Sequence, residues 1–255
     1  MDIGSRISGI FGNRTIAETR REGSVIKVIE KGRPPNQIRM LMYNGITFST
    51  IKNGSIYTNS YWDYFLPLPS IFREPKILIL GLGGGTIPYQ IESMYPNASI
   101  DAVEVDRDII EISKKFLQRE LRARIIAADG YEYLNKTDNT YSIIISDPYI
   151  DDSMPEKFLS RKFVSCARSK LVNGGIFAVN FAISHKLSQM LEPFISEIEA
   201  EFGSCTRVIP LTVPGNNIII ASKGTETRAA LRSAKRLEGC TEAENVSTAY
   251  AQAVL

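Results

Sequence analysis

The chain has 255 residues, with 30 Lys and Arg against 28 Asp and Glu for a formal net charge of +2, a balance that excludes a protein held to polyanions by bulk charge. Hydrophobic residues make up 44% and charged residues 23%, an ordinary composition for one large globular domain, or for a nucleotide-binding domain with a smaller attachment. No apolar run reaches the length of a membrane span, no apolar secretory core opens the chain, and its three cysteines lack CxxC spacing. A cytoplasmic protein with reduced thiols, no metal site and no membrane partner is therefore expected.

Residues 1–23 show no period and read as a flexible arm. Arg6, Arg14, Arg20 and Arg21 give it a basic bias without interleaved aromatics, so no nucleic-acid partner is expected. Residues 24–70 read as a small antiparallel β domain, with strands at Val25–Ile29, Ile38–Tyr43 and Ile46–Ile51. Asn44-Gly45 and Asn53-Gly54 are turn signals, because both residue types tolerate positive φ. An aromatic, helix-like patch, Tyr61-Trp62-Asp63-Tyr64-Phe65, then runs into Pro67 and Pro69.

From residue 71 to 224 the pattern changes to strands alternating with helices. Strands are predicted at 76–80, 99–105, 123–128, 141–146, 175–181, 205–211 and 217–222, with helices at 86–95, 107–119, 155–171 and 184–202. The alternation predicts an α/β, Rossmann-like fold with a mostly parallel sheet covered on both faces. Pro214-Gly215 is too short for a crossover, so the last two strands should form an antiparallel hairpin at the sheet edge. Asn173-Gly174-Gly175 is read as a helix stop. Residues 225–255 are read as a helix and a loosely held polar tail. The single histidine, His185, reads as a loop or helix-start residue, since nothing beside it has ligand or triad spacing.

The strand ends carry the chemistry. Ile77-Leu78-Ile79-Leu80 is an apolar run without alternation that breaks into Gly81-Leu82-Gly83-Gly84-Gly85-Thr86 before a helical pattern. Glycines there let a ligand approach the backbone and the helix N-terminus. The next three strands end in Glu104 with Asp106, Asp129 with Gly130, and Asp147 with Pro148-Tyr149. Ligands of open parallel sheets bind at those ends, and a strand-tip acid takes ribose hydroxyls. Asp106 and Asp129 also suit plain helix N-caps. The four ends together point to a nucleoside whose further part is cationic, a sulfonium or an amine, and no P-loop is present.

These residues resemble the spermidine synthase (polyamine aminopropyltransferase) group of the class I S-adenosylmethionine-dependent methyltransferase fold. The matching parts are the N-terminal strands, the ILILGLGGGT turn, Ala102-Val103-Glu104-Val105-Asp106, Ala128-Asp129-Gly130-Tyr131-Glu132-Tyr133-Leu134 and Tyr141 to Asp147. The resemblance implies aminopropyl transfer from decarboxylated S-adenosylmethionine to a polyamine, by a homodimer. It implies that Gly81, Gly83, Gly84, Gly85, Asp106 and Gly130 frame the donor, that Glu104 holds its ribose and that Asp129 holds its adenine amine. Asp147 would stand beside the reacting centre, Asp151 would be the base, and Tyr61, Asp63, Tyr149 and Asp152 would meet the amine.

The chain also departs from that pattern. Gly84 stands where the family keeps an Asp that meets the aminopropyl amine, and Phe48 where it keeps a glutamine. Counting back from Phe163 puts Ile150 at the base's place, so Asp151 serves after a shift of one residue. Methyl transfer from S-adenosylmethionine, favoured by Gly84, and a non-catalytic homologue stand as alternatives.

Overall fold

A computed structural model describes residues 13–21, 23–150, 153–183, 187–213 and 215–255. Two sheets organise the chain. The first is antiparallel in sequential order, from β1 (Arg14–Arg21) through β2 (Ser24–Lys31) and β3 (Ile38–Tyr43) to β4 (Ile46–Lys52). Strand β1 lies in the segment expected to be a flexible arm. It is an edge strand with mostly exposed side chains and no buried residue, so its sequence has no inward face to betray it.

The second sheet has seven strands: β5 (Lys76–Leu80), β6 (Ser99–Glu104), β7 (Arg124–Ala127), β8 (Tyr141–Ser146), β9 (Leu171–Ala182), β10 (Thr206–Val208) and β11 (Asn216–Ser222). Their spatial order is β10-β11-β9-β8-β5-β6-β7. The pairs from β7 across to β9 are parallel, and β11 is antiparallel to both β9 and β10, the edge hairpin that the sequence predicts. The chain runs outward from β5 to β7, then restarts on the other side of β5 with β8. That reversal opens a crevice at the carboxyl ends of β5 and β8.

Helices α1 (Thr86–Met94), α2 (Arg107–Leu117), α3 (Gly130–Lys136), α4 (Arg161–Ser169), α5 (Leu191–Phe202), α6 (Thr227–Arg232) and α7 (Thr241–Ala253) surround the sheet. Successive residues of one strand enter different cores. Ile77, Ile79, Ile143 and Ile145 join one cluster, while Leu78, Leu80 and Ile144 join the other. Burial on both faces explains why these strands read as unbroken apolar runs. A third cluster seats Ile26, Val28 and Leu41 of the N-terminal sheet on Ile109, Ile112 and Phe116 of α2.

Three further expectations need correction. The helix expected over 155–171 is a 3-10 turn at Glu156–Leu159 followed by α4, which ends at Ser169, and Gly174 lies inside β9 with φ +74°. There the glycine pair belongs to strand β9, and the Gly174 N–H donates to the Lys223 carbonyl. Helix α3 is absent from the predicted helices although Asp129 reads as a possible N-cap and does cap it, because Leu134 is its one buried residue and leaves no apolar period. The C-terminal segment is held firmly: Ala243, Val246, Ala249 and Tyr250 of α7 are buried, and the Tyr250 hydroxyl donates to the Tyr64 carbonyl at 2.6 Å. Among the described residues no helix is long and apolar enough to cross a membrane.

Candidate active site

The turn after β5 is shaped by what passes beneath it. Gly81 has φ +96°, and a Cβ there would fall 2.2 Å from the Asp147 carbonyl oxygen. Glycine is therefore required where the chain leaving β5 touches the chain leaving its parallel neighbour β8. Backbone bonds fix the turn on both sides, Gly81 N–H to Val103 O of β6 at 2.9 Å and Asp147 N–H, after β8, to Leu80 O at 2.8 Å.

Glu104, at the end of β6, reaches under this turn. Its Oε2 accepts from the N–H groups of Leu82 at 3.0 Å and Gly83 at 3.3 Å, and its Oε1 from Asp106 N–H at 3.0 Å. Burial pushes its carboxyl above the usual range, and the three N–H donors oppose that push. Asp106 caps α2 through Asp108 N–H and Ile109 N–H. It also pairs with Arg21 of β1, which reaches Asp108 as well. An arginine of the N-terminal sheet thus closes over the acid end of β6.

Asp147 follows β8. Its Oδ2 accepts from the Tyr61 hydroxyl at 3.0 Å and its Oδ1 from Asn180 Nδ2 at 2.8 Å. Tyr61 opens a 3-10 turn (Tyr61–Phe65), and Asn180 lies in β9. Burial pushes the Asp147 carboxyl up to about 7, against the two hydrogen bonds that favour its charged form. Burial beside the same carboxylate pushes the Tyr61 hydroxyl well above its ordinary value. The Tyr149 hydroxyl accepts from Ala182 N–H at 2.6 Å and donates to Asn180 O at 3.2 Å, tying the loop after β8 to the end of β9.

Asp129 caps α3 through Glu132 N–H at 3.1 Å and pairs with Lys157. Partial burial would raise this carboxyl, but the Lys157 ammonium and the cap bond hold it below the usual range. The Lys157 ammonium also lies over the rings of Tyr131 and Phe158, at 5.8 and 5.5 Å.

One cavity of about 630 Å³ joins these groups. Of the expected residues, Tyr61, Gly81, Gly83, Glu104, Asp106, Asp129, Gly130, Asp147 and Tyr149 line it. Gly84 and Gly85 are not among its lining residues. A Cβ at Gly84 would meet Ser49 Cβ at 2.6 Å and the Phe116 ring at 2.8 Å, and one at Gly85 would meet Leu117 and Leu121. Asp63 does not reach the cavity, contrary to its expected part in substrate contact. It is 1% exposed and accepts from Thr58 N–H, Thr58 Oγ1, Asn59 N–H and Gln90 Nε2, which makes it a buried tie between the aromatic turn and α1. Asp151, Asp152 and His185 lie outside the described residues. Sequence reasoning missed Arg21, Ser49, Lys157, Asn180 and Asn216 as lining residues. Asn180 carried a signal, a polar side chain inside the apolar run Ile176 to Ala182.

Comparison with known proteins matches the spermine/spermidine synthase domain to residues 65–233. A probable polyamine aminopropyl transferase of Bifidobacterium longum is 28% identical over 201 residues, which are 76% of this chain and 44% of the relative. The human eEF1A lysine and N-terminal methyltransferase is 28% identical over 133 residues, 44% of this chain and 19% of that protein. A probable spermidine synthase from Corynebacterium glutamicum has a crystal structure that superposes with a TM-score of 0.71 at 19% identity, covering 91% of this chain and 86% of that one. The chain spans about half the length of the curated aminopropyltransferases it matches. With a domain match over most of its length and the strand order of the fold in place, the chain belongs to the spermine/spermidine synthase family.

Proposed function

We propose that the protein transfers an aminopropyl group from decarboxylated S-adenosylmethionine to an amine of a polyamine. The observation that carries this reading is Asp147, a buried carboxyl with its proton affinity raised to about neutrality, placed at the switch point and held by Tyr61. A base poised near the working pH is what deprotonation of an attacking amine needs. In the reaction the amine nitrogen forms a bond to the propyl carbon and the carbon–sulfur bond breaks. The electron pair goes to sulfur, which leaves as a neutral thioether, and the amine proton goes to Asp147. A sulfonium needs little help to leave, so the work of the site is orientation and proton removal.

In this reading Glu104 holds the ribose hydroxyls, with Asp106, the turn at Gly81 and Gly83, and Gly130 at the start of α3 framing the nucleoside. Asp129 takes the adenine amine, and Tyr149 lines the acceptor side. Asp147 supplies the base function first assigned to Asp151, whose neighbour Asp152 keeps its proposed contact with the amine. The same reading carries a homodimer in the cytoplasm, and light scattering tests the dimer.

Methyl transfer from S-adenosylmethionine remains as a second reading because of one contact. The Gly84 N–H donates to Ser49 Oγ at 2.7 Å, and Ser49 occupies the direction in which the family's acid would leave position 84. Calorimetry with the two donors, followed by mass spectrometry of putrescine or spermidine after incubation, separates the readings. Preference for the decarboxylated donor, with an aminopropylated amine and 5′-methylthioadenosine as products, supports the first. Preference for the carboxylate-bearing donor, with S-adenosylhomocysteine as product, overturns it in favour of the second.

A further inference from the structure

We propose that Asn216, acting through Asn180, fixes which oxygen of Asp147 takes up the proton and directs it to Oδ2, the oxygen shared with Tyr61. The inference rests on the reading of Asp147 as the proton acceptor. Three side chains form one chain of hydrogen bonds across three elements. Asn216 Nδ2 donates to Asn180 Oδ1 at 2.8 Å, and Asn180 Nδ2 donates to Asp147 Oδ1 at 2.8 Å. The sheet register produces this line. Asn180 pairs opposite Ile218 of β11 and Asn216 opposite Ala182 of β9, so the two asparagines are diagonal neighbours on one face. Both are buried, Asn180 at 2% exposure and Asn216 at 8%.

A carboxamide has an accepting end and a donating end, and each Asn180 end is committed. If Asn180 alone turned over, its NH2 group would face that of Asn216 and its oxygen would face the Asp147 carboxylate. Burial makes both mismatches expensive. Turning both amides together places the Asn180 oxygen against Oδ1, an arrangement satisfied only when Oδ1 already carries the proton. Tyr61 imposes no such restriction, because a hydroxyl donates to an ionised Oδ2 and accepts from a protonated one by rotating its O–H. Oδ2 can therefore gain a proton at the cost of one rotation, whereas Oδ1 requires two buried amides to reverse. The Tyr149 hydroxyl, bonded to Asn180 O and Ala182 N–H, holds the backbone of β9 in place while this happens. Among the described residues, the titratable groups facing Asp147 are the hydroxyls of Tyr61, from the 3-10 turn, and Tyr149, after β8. Asn216 is thus a positioning residue, since it acts on Asp147 through Asn180.

The test follows the Asp147 carboxyl directly, by carbon NMR of the full chain labelled at its aspartate carboxyls, with the signal assigned by its loss in Asp147→Asn. No substrate is needed for this titration, so it stands apart from any measurement of aminopropyl transfer. Asn216→Asp replaces the donor with an acceptor, so Asn180 turns its NH2 away from Asp147. The Asp147 midpoint should rise by about one to two pH units, the size expected for losing a hydrogen bond to a charged group. In an Asn180→Leu background the same substitution should add less than about half a unit, because the intermediary is gone. An equal rise in both backgrounds marks a through-space charge effect and overturns the proposal, as does an unchanged midpoint in the single variant. If Asn216→Asp fails to fold, Asn216→Ala removes the donor without adding charge. It should raise the midpoint by at least about half a unit, and no rise overturns the proposal. Absence of aminopropyl transfer together with the predicted titration overturns the proposed reaction and leaves the relay standing. Full transfer activity with an Asp147 midpoint indifferent to Asn216 overturns the relay alone.

Discussion

The Tyr61 hydroxyl donates to Asp147 Oδ2 at 3.0 Å, joining residues 86 positions apart in the chain. In the proposed reaction Asp147 acts only when ionised, and burial lifts it to about 7, so kcat/KM should climb about tenfold per pH unit on the acid side and level off above about pH 7. Tyr61→Phe removes a donor that favours the charged form, so this acid limb should move to higher pH. Asp147→Asn should lower kcat by at least about a hundredfold. Initial rates from pH 5 to 9 check all three, and a flat acid limb in the wild type would remove Asp147 from the role of base.

Restoring the acid that resembling enzymes carry in the glycine turn should harm this protein. Gly84→Asp places a Cβ within 2.6 Å of Ser49 Cβ and 2.8 Å of the Phe116 ring, and it crowds the bond from Gly84 N–H to Ser49 Oγ. A loss of about 1–3 kcal/mol is expected, as for other overpacked sites. Pairing it with Ser49→Gly should recover part of the loss. Denaturant melts of the two variants give the comparison, and an undiminished midpoint for Gly84→Asp alone would contradict the packing.

Asp63 should behave as a structural residue. Its carboxylate accepts from Thr58, Asn59 and Gln90 in a buried site, and Asp63→Asn turns a donor toward donors. About 1–3 kcal/mol of stability should be lost, with KM for the amine changed by less than about twofold at a temperature where the variant is folded. A stable variant with a large rise in KM would instead return Asp63 to the substrate site.

The pair between Lys157 and Asp129 occupies the acid proposed for the adenine amine. Lys157→Met frees that acid, so 5′-methylthioadenosine should bind up to about fivefold more tightly, the range of an exposed ion pair, and more so at low salt. Titration calorimetry at two salt concentrations measures it. Weaker binding would place Lys157 among the groups that hold the base.

The large sheet was legible because both of its faces are buried, which leaves runs such as Ile77–Leu80 and Ile143–Ile145 without a polar residue. The ends of those runs were legible for the same reason, since Glu104, Asp129 and Asp147 each break an apolar stretch. Strand β1 was not, because an exposed edge needs no period. Nor was the inward turn of Asp63, which depends on Thr58 and Gln90 converging on it from different elements. Gly84 could be matched to a family position by counting, but the packing of Ser49 and Phe116 around it arises from the N-terminal sheet meeting α2. Asn216 gave no local signal, and its part comes from the register of β11 on β9.

The docking of α7 has a consequence far from the helix itself. Its Tyr250 grips the carbonyl of Tyr64, whose hydroxyl receives the N–H of Leu211 at 2.9 Å. Tyr64 shares one turn with Tyr61. The last helix is therefore a buttress behind the hydroxyl that meets Asp147. Loosening this helix would disturb the position of the Tyr61 hydroxyl against Asp147.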